Sequence, residues 1–303
     1  MVQRSMRTIQ SVRLVATDPA RAANMPSWHS GRMQDRYAGD LGDYLKFGLL
    51  RWLAPLGVPT SPRFGVVWYR TADETHNADG KYITYLDPSH PSSGHFRELD
   101  ADLYDRLARV VAGERSTARL AGAGLLDAGT RFFGDLLDFA DLPVTAQAAR
   151  QARRQSWLQR AMAATSGCDL IFADPDNGIR AAAHRVPAYR TKAVKYSYLD
   201  ELAAFAGRGQ SLVVYHHADR TATIEEQARL RLGDIARNVP IKAIAAVRAS
   251  RGTTRLFLVA ATASHAGYLT DRLAALTDGP WAKELSVYWS LGSHGAGGRG
   301  IRR

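Results

Sequence analysis

Apolar residues recur at helical spacing in several stretches of the chain. In residues 36–56 the leucines return every three or four positions, which predicts an amphipathic helix whose first turn is capped by Asp40 or Asp43. Thr145 is a candidate N-cap for a longer helix. Together with residues 36–56, the predicted helices cover residues 99–111, 145–165, 195–206, 223–235 and 266–276.

Short apolar runs lie between these helices and predict β-strands. They cover residues 64–69, 82–86, 170–172, 210–215, 242–248, 254–261 and 285–289, while residues 117–126 are expected to form a weak strand or a loop. The alternation of strands and helices favours a mostly parallel sheet with helices on both faces. Residues 249–252 read A-S-R-G and predict a hairpin. The expected fold is therefore Rossmann-like α/β with a terminal antiparallel hairpin.

Composition and charge divide the chain into a folded part and two basic ends. The 303 residues are 46% hydrophobic, no apolar run approaches the roughly 20 residues that span a bilayer, and the single cysteine, Cys168, excludes an intrachain disulfide. Residues 1–32 and 290–303 carry seven of the eleven net positive charges. We therefore expect a disordered basic extension over residues 1–32, one α/β domain over residues 33–289 and a flexible tail over residues 290–303, in a cytoplasmic protein.

Polar side chains follow three of the predicted strands. The first group lies in residues 73–80, D-E-T-H-N-A-D-G, the second is Asp174, Asp176 and Asn177, and the third is His216, His217 and Asp219. Pro175 and the pair Asn177-Gly178 end the second strand, because proline has no N–H to donate and glycine tolerates positive φ. Because the carboxyl ends of parallel strands share one edge, we expect the three groups to form one site.

A divalent metal site is one interpretation of these groups. His76, Asp174, His216 and Asp219 offer imidazole and carboxylate ligands, which would suit a metal-dependent nuclease or phosphohydrolase. Adjacent residues on a strand point to opposite faces, so His216 and His217 could share a metal only where the strand has already ended. The plainer alternative is that these are ordinary polar loops.

Three segments carry a more specific signal. Residues 38–46 read A-G-D-L-G-D-Y-L-K, residues 75–82 read T-H-N-A-D-G-K-Y, and residues 170–177 read L-I-F-A-D-P-D-N. In order and rough position they resemble the helix start A-G-N-H-A-D-V-L-K, the cofactor loop T-H-A-G-A-G-R-Y and the strand end D-P-P-Y of the adenine-N6 methyltransferases that modify large-subunit ribosomal RNA. The chain is also similar to a bacterial family of no assigned activity that shares R-Y-x-G-D-x-x-D-x-x-K and D-P-D-N-G.

The first resemblance implies a methyltransferase-type fold that transfers a methyl group from S-adenosylmethionine to an amine of a nucleic acid or nucleotide. It implies that the cofactor contacts Lys46, Asp43, Thr75, His76, Asn77 and Gly80. It makes Asp174 the carboxylate that orients the amine. Asp176 and Asn177 complete the catalytic turn, at positions where the family has a proline and an aromatic residue that stacks on the base.

A non-catalytic module that binds nucleic acid through the same fold is the remaining alternative. Basic tails can bind phosphate backbones without sequence preference. In all these interpretations the expected partner is a nucleic acid or nucleotide, and no membrane is involved.

Overall fold

A seven-stranded sheet forms the centre of the computed structural model, which describes residues 37–71, 80, 82–180, 187–251 and 253–290. In chain order the strands are β1 (Phe64–Trp68), β2 (Arg131–Phe133), β3 (Leu170–Asp174), β4 (Gly178–Ile179), β5 (Tyr196–Ser197), β6 (Ser211–His217), β7 (Lys242–Ala249), β8 (Arg255–Ala261) and β9 (Leu285–Trp289). The short strands β4 and β5 pair with each other in a separate parallel sheet.

The large sheet has the order β2-β1-β3-β6-β8-β7-β9. The first four strands pair in parallel, whereas β8 is antiparallel to β6 and β7, and β9 is antiparallel to β7. β7 therefore runs in the same direction as the first four strands, and only β8 and β9 are reversed among the seven. This topology confirms the predicted Rossmann-like α/β fold with an antiparallel end.

Helices cover both faces of the sheet, as the sequence predicts. They are α1 (Leu41–Leu53), α2 (Ser93–Leu99), α3 (Ala101–Ala112), α4 (Thr117–Gly122), α5 (Gln147–Ala164), α6 (Leu199–Ala206), α7 (Ile224–Asn238) and α8 (Ala263–Leu276). One apolar cluster unites α1, α3 and α8 with one face, and a second unites α5, α6 and α7 with the other. Phe172 of β3 belongs to the first cluster and its neighbour Ile171 to the second, because side chains alternate along a strand.

Three local predictions are wrong. Residues 82–86 contain the 3₁₀ turn Thr84–Leu86 instead of a strand, because Tyr85 packs its ring against other buried aromatic side chains. Residues 117–126 contain α4, whose first turn is capped by the hydroxyl of Ser116. The N-cap of α5 is Ala146 rather than Thr145.

The helix expected over residues 195–206 begins later, at Leu199. Its first predicted residues belong to a second 3₁₀ turn, Thr191–Lys195, and to β5. A third 3₁₀ turn, Pro280–Lys283, precedes β9. None of the helices within the described ranges combines the length and the apolar character that crossing a bilayer requires.

Candidate functional site

A cavity of about 360 Å³ opens at the carboxyl edge of the parallel strands. From β1 the chain crosses outward to β2 and then returns to β3 on the other side of β1. This reversal is the topological switch point, where open α/β sheets bind their ligands. Trp68 at the end of β1, Asp174 at the end of β3 and Tyr215 near the end of β6 all line the cavity. Its volume lies within the range of small-molecule sites.

The start of α1 forms one wall of this cavity. Asp40 is the N-cap, since its Oδ1 accepts the N–H of Asp43 at 2.9 Å. Asp43 in turn accepts the N–H of Gly39 at 3.0 Å. At Gly42 an added Cβ would lie 2.6 Å from Nη2 of Arg255. A glycine at this position therefore allows the Arg255 guanidinium to rest against the helix start.

Lys46 lies between two carboxylates within the cavity. Its Nζ is 2.9 Å from Oδ1 of Asp43 and 2.8 Å from Oδ2 of Asp174. The side chains of Lys46 and Asp174 are 13% and 12% exposed. Among the described residues, Lys46 donates the hydrogen bond that the Asp174 carboxylate accepts, and this bond is to Oδ2. Among the residues that the structure describes, none donates a hydrogen bond to Oδ1 of Asp174.

Burial and charge act against each other at these groups. Burial alone would lower the pKa of Lys46, but Asp174 and Asp43 together raise it above its usual value, so Lys46 is an ammonium ion. Burial raises the pKa of Asp174 against the opposing attraction of Lys46. Burial and the charge of Asp43 raise the pKa of Asp40 to about 6, although Arg255 opposes them. Because their pKa values are raised, Asp40 and Asp174 accept protons more readily than exposed carboxylates do.

The turn after β3 approaches His216 of β6 closely because it contains a glycine. Gly178 has a φ of +95°, and a Cβ on it would lie 2.3 Å from Nδ1 of His216. Within the described ranges only glycines have positive φ, so Gly178 adopts this conformation and Asn177 does not. The N–H of Asn177 donates to the backbone oxygen of Lys195 at 2.9 Å, and Nζ of Lys195 lies 3.3 Å from Oδ2 of Asp176.

Most described members of the predicted site meet in this cavity. The lining includes Lys46, Asp43, Gly80, Asp174, Asp176 and Asn177, with His217 from the third polar group. Thr75, His76 and Asn77 lie outside the described residues. The ends of β1, β3 and β6 therefore converge on one edge, as the sequence pattern predicts.

The structure does not bring together the described residues of the predicted metal site, Asp174, His216 and Asp219. His216 lies on the opposite face of β6 from Tyr215, where its Nδ1 faces the N–H of Ile179 at 3.3 Å and burial lowers its pKa to about 4. Asp219 accepts the N–H of Thr221 at 2.8 Å. Neither lines the cavity that contains Asp174, and His76 lies outside the described residues.

The described ranges contain no group of three or more His, Cys, Asp or Glu side chains arranged to hold a metal ion. Asp43 and Asp174 do approach a common point, but the ammonium of Lys46 occupies it. A cation would have to displace that ammonium before the two carboxylates could coordinate it.

Several cavity residues are not apparent from the sequence. Arg255, Tyr215 and Tyr82 line the cavity, yet none is among the predicted site residues, although Tyr215 ends a predicted strand and Tyr82 ends the segment 75–82. Arg255 is the first residue of β8, and the amino end of this reversed strand lies beside the carboxyl ends of its neighbours. The hairpin predicted over residues 249–252 was the signal that could have placed Arg255 at this edge.

Comparisons with protein-family models and with curated proteins identify no relative of the chain. No protein-family model matches the chain, and no curated protein matches it at a significant level. The functional argument therefore depends on the cavity and its side chains.

Proposed function

We propose that this protein is an S-adenosylmethionine-dependent methyltransferase acting on an amine of a nucleic acid or nucleotide. The observation that carries the proposal is Asp174, which lines the cavity at the switch point, with its Oδ2 held by Lys46 and with no described residue donating to its Oδ1. A carboxylate fixed at one oxygen and open at the other is suited to orienting an N–H group. It supports a site that positions an amine for attack.

The side chains around Asp174 suit the proposed cofactor, which combines a carboxylate, an ammonium group and a sulfonium. Asp40 and Asp43 offer negative charge at the start of α1, and the guanidinium of Arg255 lies beside them. Gly80 has a φ of +82° and lines the cavity, so its backbone can approach a ligand closely. When bound, the cofactor supplies an electrophilic methyl group on a positively charged sulfur.

The chain's own residues would then orient the amine and receive its proton. Oδ1 of Asp174 accepts an N–H of the amine, which fixes the direction of the nitrogen lone pair. The same carboxylate stabilises the positive charge that develops on the nitrogen, and more strongly in a cavity than in water. Because burial raises the pKa of Asp174, its Oδ1 can also take the proton that the amine releases.

Transfer of a labelled methyl group tests this proposal. The chain is incubated with methyl-labelled S-adenosylmethionine and either total RNA, denatured DNA or free nucleotides, and label in each acceptor is counted. We expect Asp174→Asn to reduce the rate by about 10²-fold or more, because the amide loses both the charge and the proton acceptor. Asp219→Asn is the matched control, since Asp219 follows β6 but lies outside the cavity, and it should keep the wild-type rate.

Two outcomes of this labelling experiment would contradict the proposal. If no acceptor gains label, or if Asp174→Asn and Asp219→Asn behave alike, the proposal is wrong. Cleavage of RNA or DNA that requires Mg²⁺ or Mn²⁺ and disappears in Asp174→Asn would instead support the metal-dependent nuclease alternative.

A further inference from the structure

A basic segment lies beside the cavity and takes no part in the proposed transfer. The sequence has no aspartate or glutamate from Gly178 to Tyr198. The described basic residues of this stretch are Arg180, Arg190, Lys192 and Lys195, and we call these four side chains the basic rim. Lys195 lines the cavity, so the basic rim begins at the site itself.

The 3₁₀ turn Thr191–Lys195 fixes the relative positions of two members of the basic rim, Lys192 and Lys195. Side chains three residues apart eclipse in a 3₁₀ helix, so Lys192 and Lys195 lie on one side of it, about 6 Å apart along its axis. Arg190 and Lys192 are exposed, and the guanidinium of Arg180 lies 5.0 Å from the ring centre of Tyr196. The positive charge therefore extends outward from the cavity and is not confined to it.

Two buried arginines of α5 hold this segment in place. Nη1 of Arg150 donates to the backbone oxygen of Tyr189 at 3.0 Å and to the hydroxyl of Thr191 at 3.2 Å. One helical turn later, Arg154 donates to the backbone oxygens of Ala193 at 2.9 Å and Tyr196 at 2.7 Å. Burying a guanidinium is unfavourable unless its hydrogen bonds are satisfied. The segment is thus a fixed part of the fold and not a loosely attached loop.

We infer that the basic rim binds the phosphate backbone of a single-stranded nucleic acid whose base enters the cavity. The inference rests on the proposed function and selects a polymer over a free nucleotide as its substrate. A free nucleotide in the cavity could contact Lys195, which is also paired with Asp176, whereas a polymer carries further phosphates that the exposed Arg190 and Lys192 could bind. A base inside a duplex could not reach the cavity without leaving the stack, so a single strand is favoured.

The salt dependence of strand binding tests the inference without any methyl transfer. A fluorescein-labelled single-stranded RNA of about 12 nucleotides is titrated with the full chain at several salt concentrations, with no cofactor present, and anisotropy gives the affinity. We expect the double variant Arg190→Gln/Lys192→Gln to reduce the slope of log K against log salt by about 1.4, since each phosphate contact on a single strand contributes about 0.7.

The control variant removes the same charge from the opposite edge. Arg208 and Lys242 are exposed and lie before β6 and at the start of β7, and Arg208→Gln/Lys242→Gln should leave the slope unchanged. Equal slopes in the rim variant and the wild type, or equal losses in both variants, would overturn the inference.

Failure of this inference and failure of the proposed function give different results. If free nucleotides are methylated but the rim variant does not change the salt slope, the methyltransferase proposal stands and the proposed strand-binding surface is wrong. If the rim variant weakens strand binding but the protein transfers no methyl group, the strand-binding surface stands and the methyltransferase proposal is wrong.

Discussion

Two ion pairs lie on opposite faces of the sheet, a buried one between α5 and α6 and a part-buried one between α1 and β3, and they differ in how completely they are hydrogen-bonded. On one face Arg154 pairs with Glu201, with side chains 4% and 6% exposed. On the other face Lys46 pairs with Asp174, with side chains 13% and 12% exposed.

The hydrogen bonds around the two ion pairs distinguish one pair from the other. Arg154 contacts both oxygens of Glu201, which also accepts from the Tyr69 hydroxyl at 3.3 Å and from the N–H of Tyr198 at 3.0 Å. Lys46 is shared by two carboxylates, and one of them, Asp174, accepts from the described side chains at only one oxygen. A fully satisfied pair supports the fold, whereas a pair with one acceptor left over can serve a ligand.

Removing the satisfied pair should have the largest effect on stability. Arg154→Ala leaves Glu201 buried without its cation and removes two bonds to the rim segment, so we expect a loss of about 3–5 kcal/mol in the free energy of unfolding. Urea denaturation measures it. Arg153→Ala is the control, since Arg153 makes an exposed pair with Asp141, and it should cost at most about 1 kcal/mol. Similar losses in the two variants would contradict the structural role of Arg154.

Removing Lys46 should have a smaller effect that depends on pH. In Lys46→Met the carboxylates of Asp43 and Asp174 repel each other, but Asp174 can take up a proton, so we expect a loss of about 2–3 kcal/mol at neutral pH. Without Lys46 the pKa of Asp174 lies further above its unfolded value. The loss should therefore be small in acid and grow as the pH rises through that pKa. Urea midpoints measured across this range would contradict the account if the loss were independent of pH.

Asp40 should give the smallest effect of the three. Its pKa of about 6 exceeds the unfolded value of 3.8, so the folded protein should lose stability as the pH rises from about 4 to 6. Asp40→Asn keeps an N-cap of similar strength and removes this titration. Relative to the wild type, the variant should gain about 2 kcal/mol across that interval, less than the full shift implies because Arg255 loses a partner. Parallel pH profiles for the two proteins would contradict the assignment.

Local patterns in the sequence predict much of the fold and part of the site. The leucine spacing predicts α1, and the acidic residues before it predict its cap, because both signals act within one helical turn. The strand β3 and its turn are predicted for the same reason, since an apolar run is followed by Pro175 and Gly178. These elements place Lys46 and Asp174 at the same edge.

Long-range partners are what the sequence does not reveal. The arginines over residues 145–165 suggest a solvated face, yet Arg150 and Arg154 are buried. Glu201, the partner of Arg154, lies 47 residues away in the chain, and no spacing rule links the two. The predicted metal set grouped Asp174 with His216, because the sequence does not show which face of β6 carries which histidine.

Calorimetric titration of the full chain with S-adenosylmethionine tests the central claim most directly. The account predicts heat that fits one site per chain with a dissociation constant well below millimolar, because the cavity offers charged groups of both signs at the switch point. Absence of heat at millimolar cofactor would contradict the assignment of this cavity to methyl transfer.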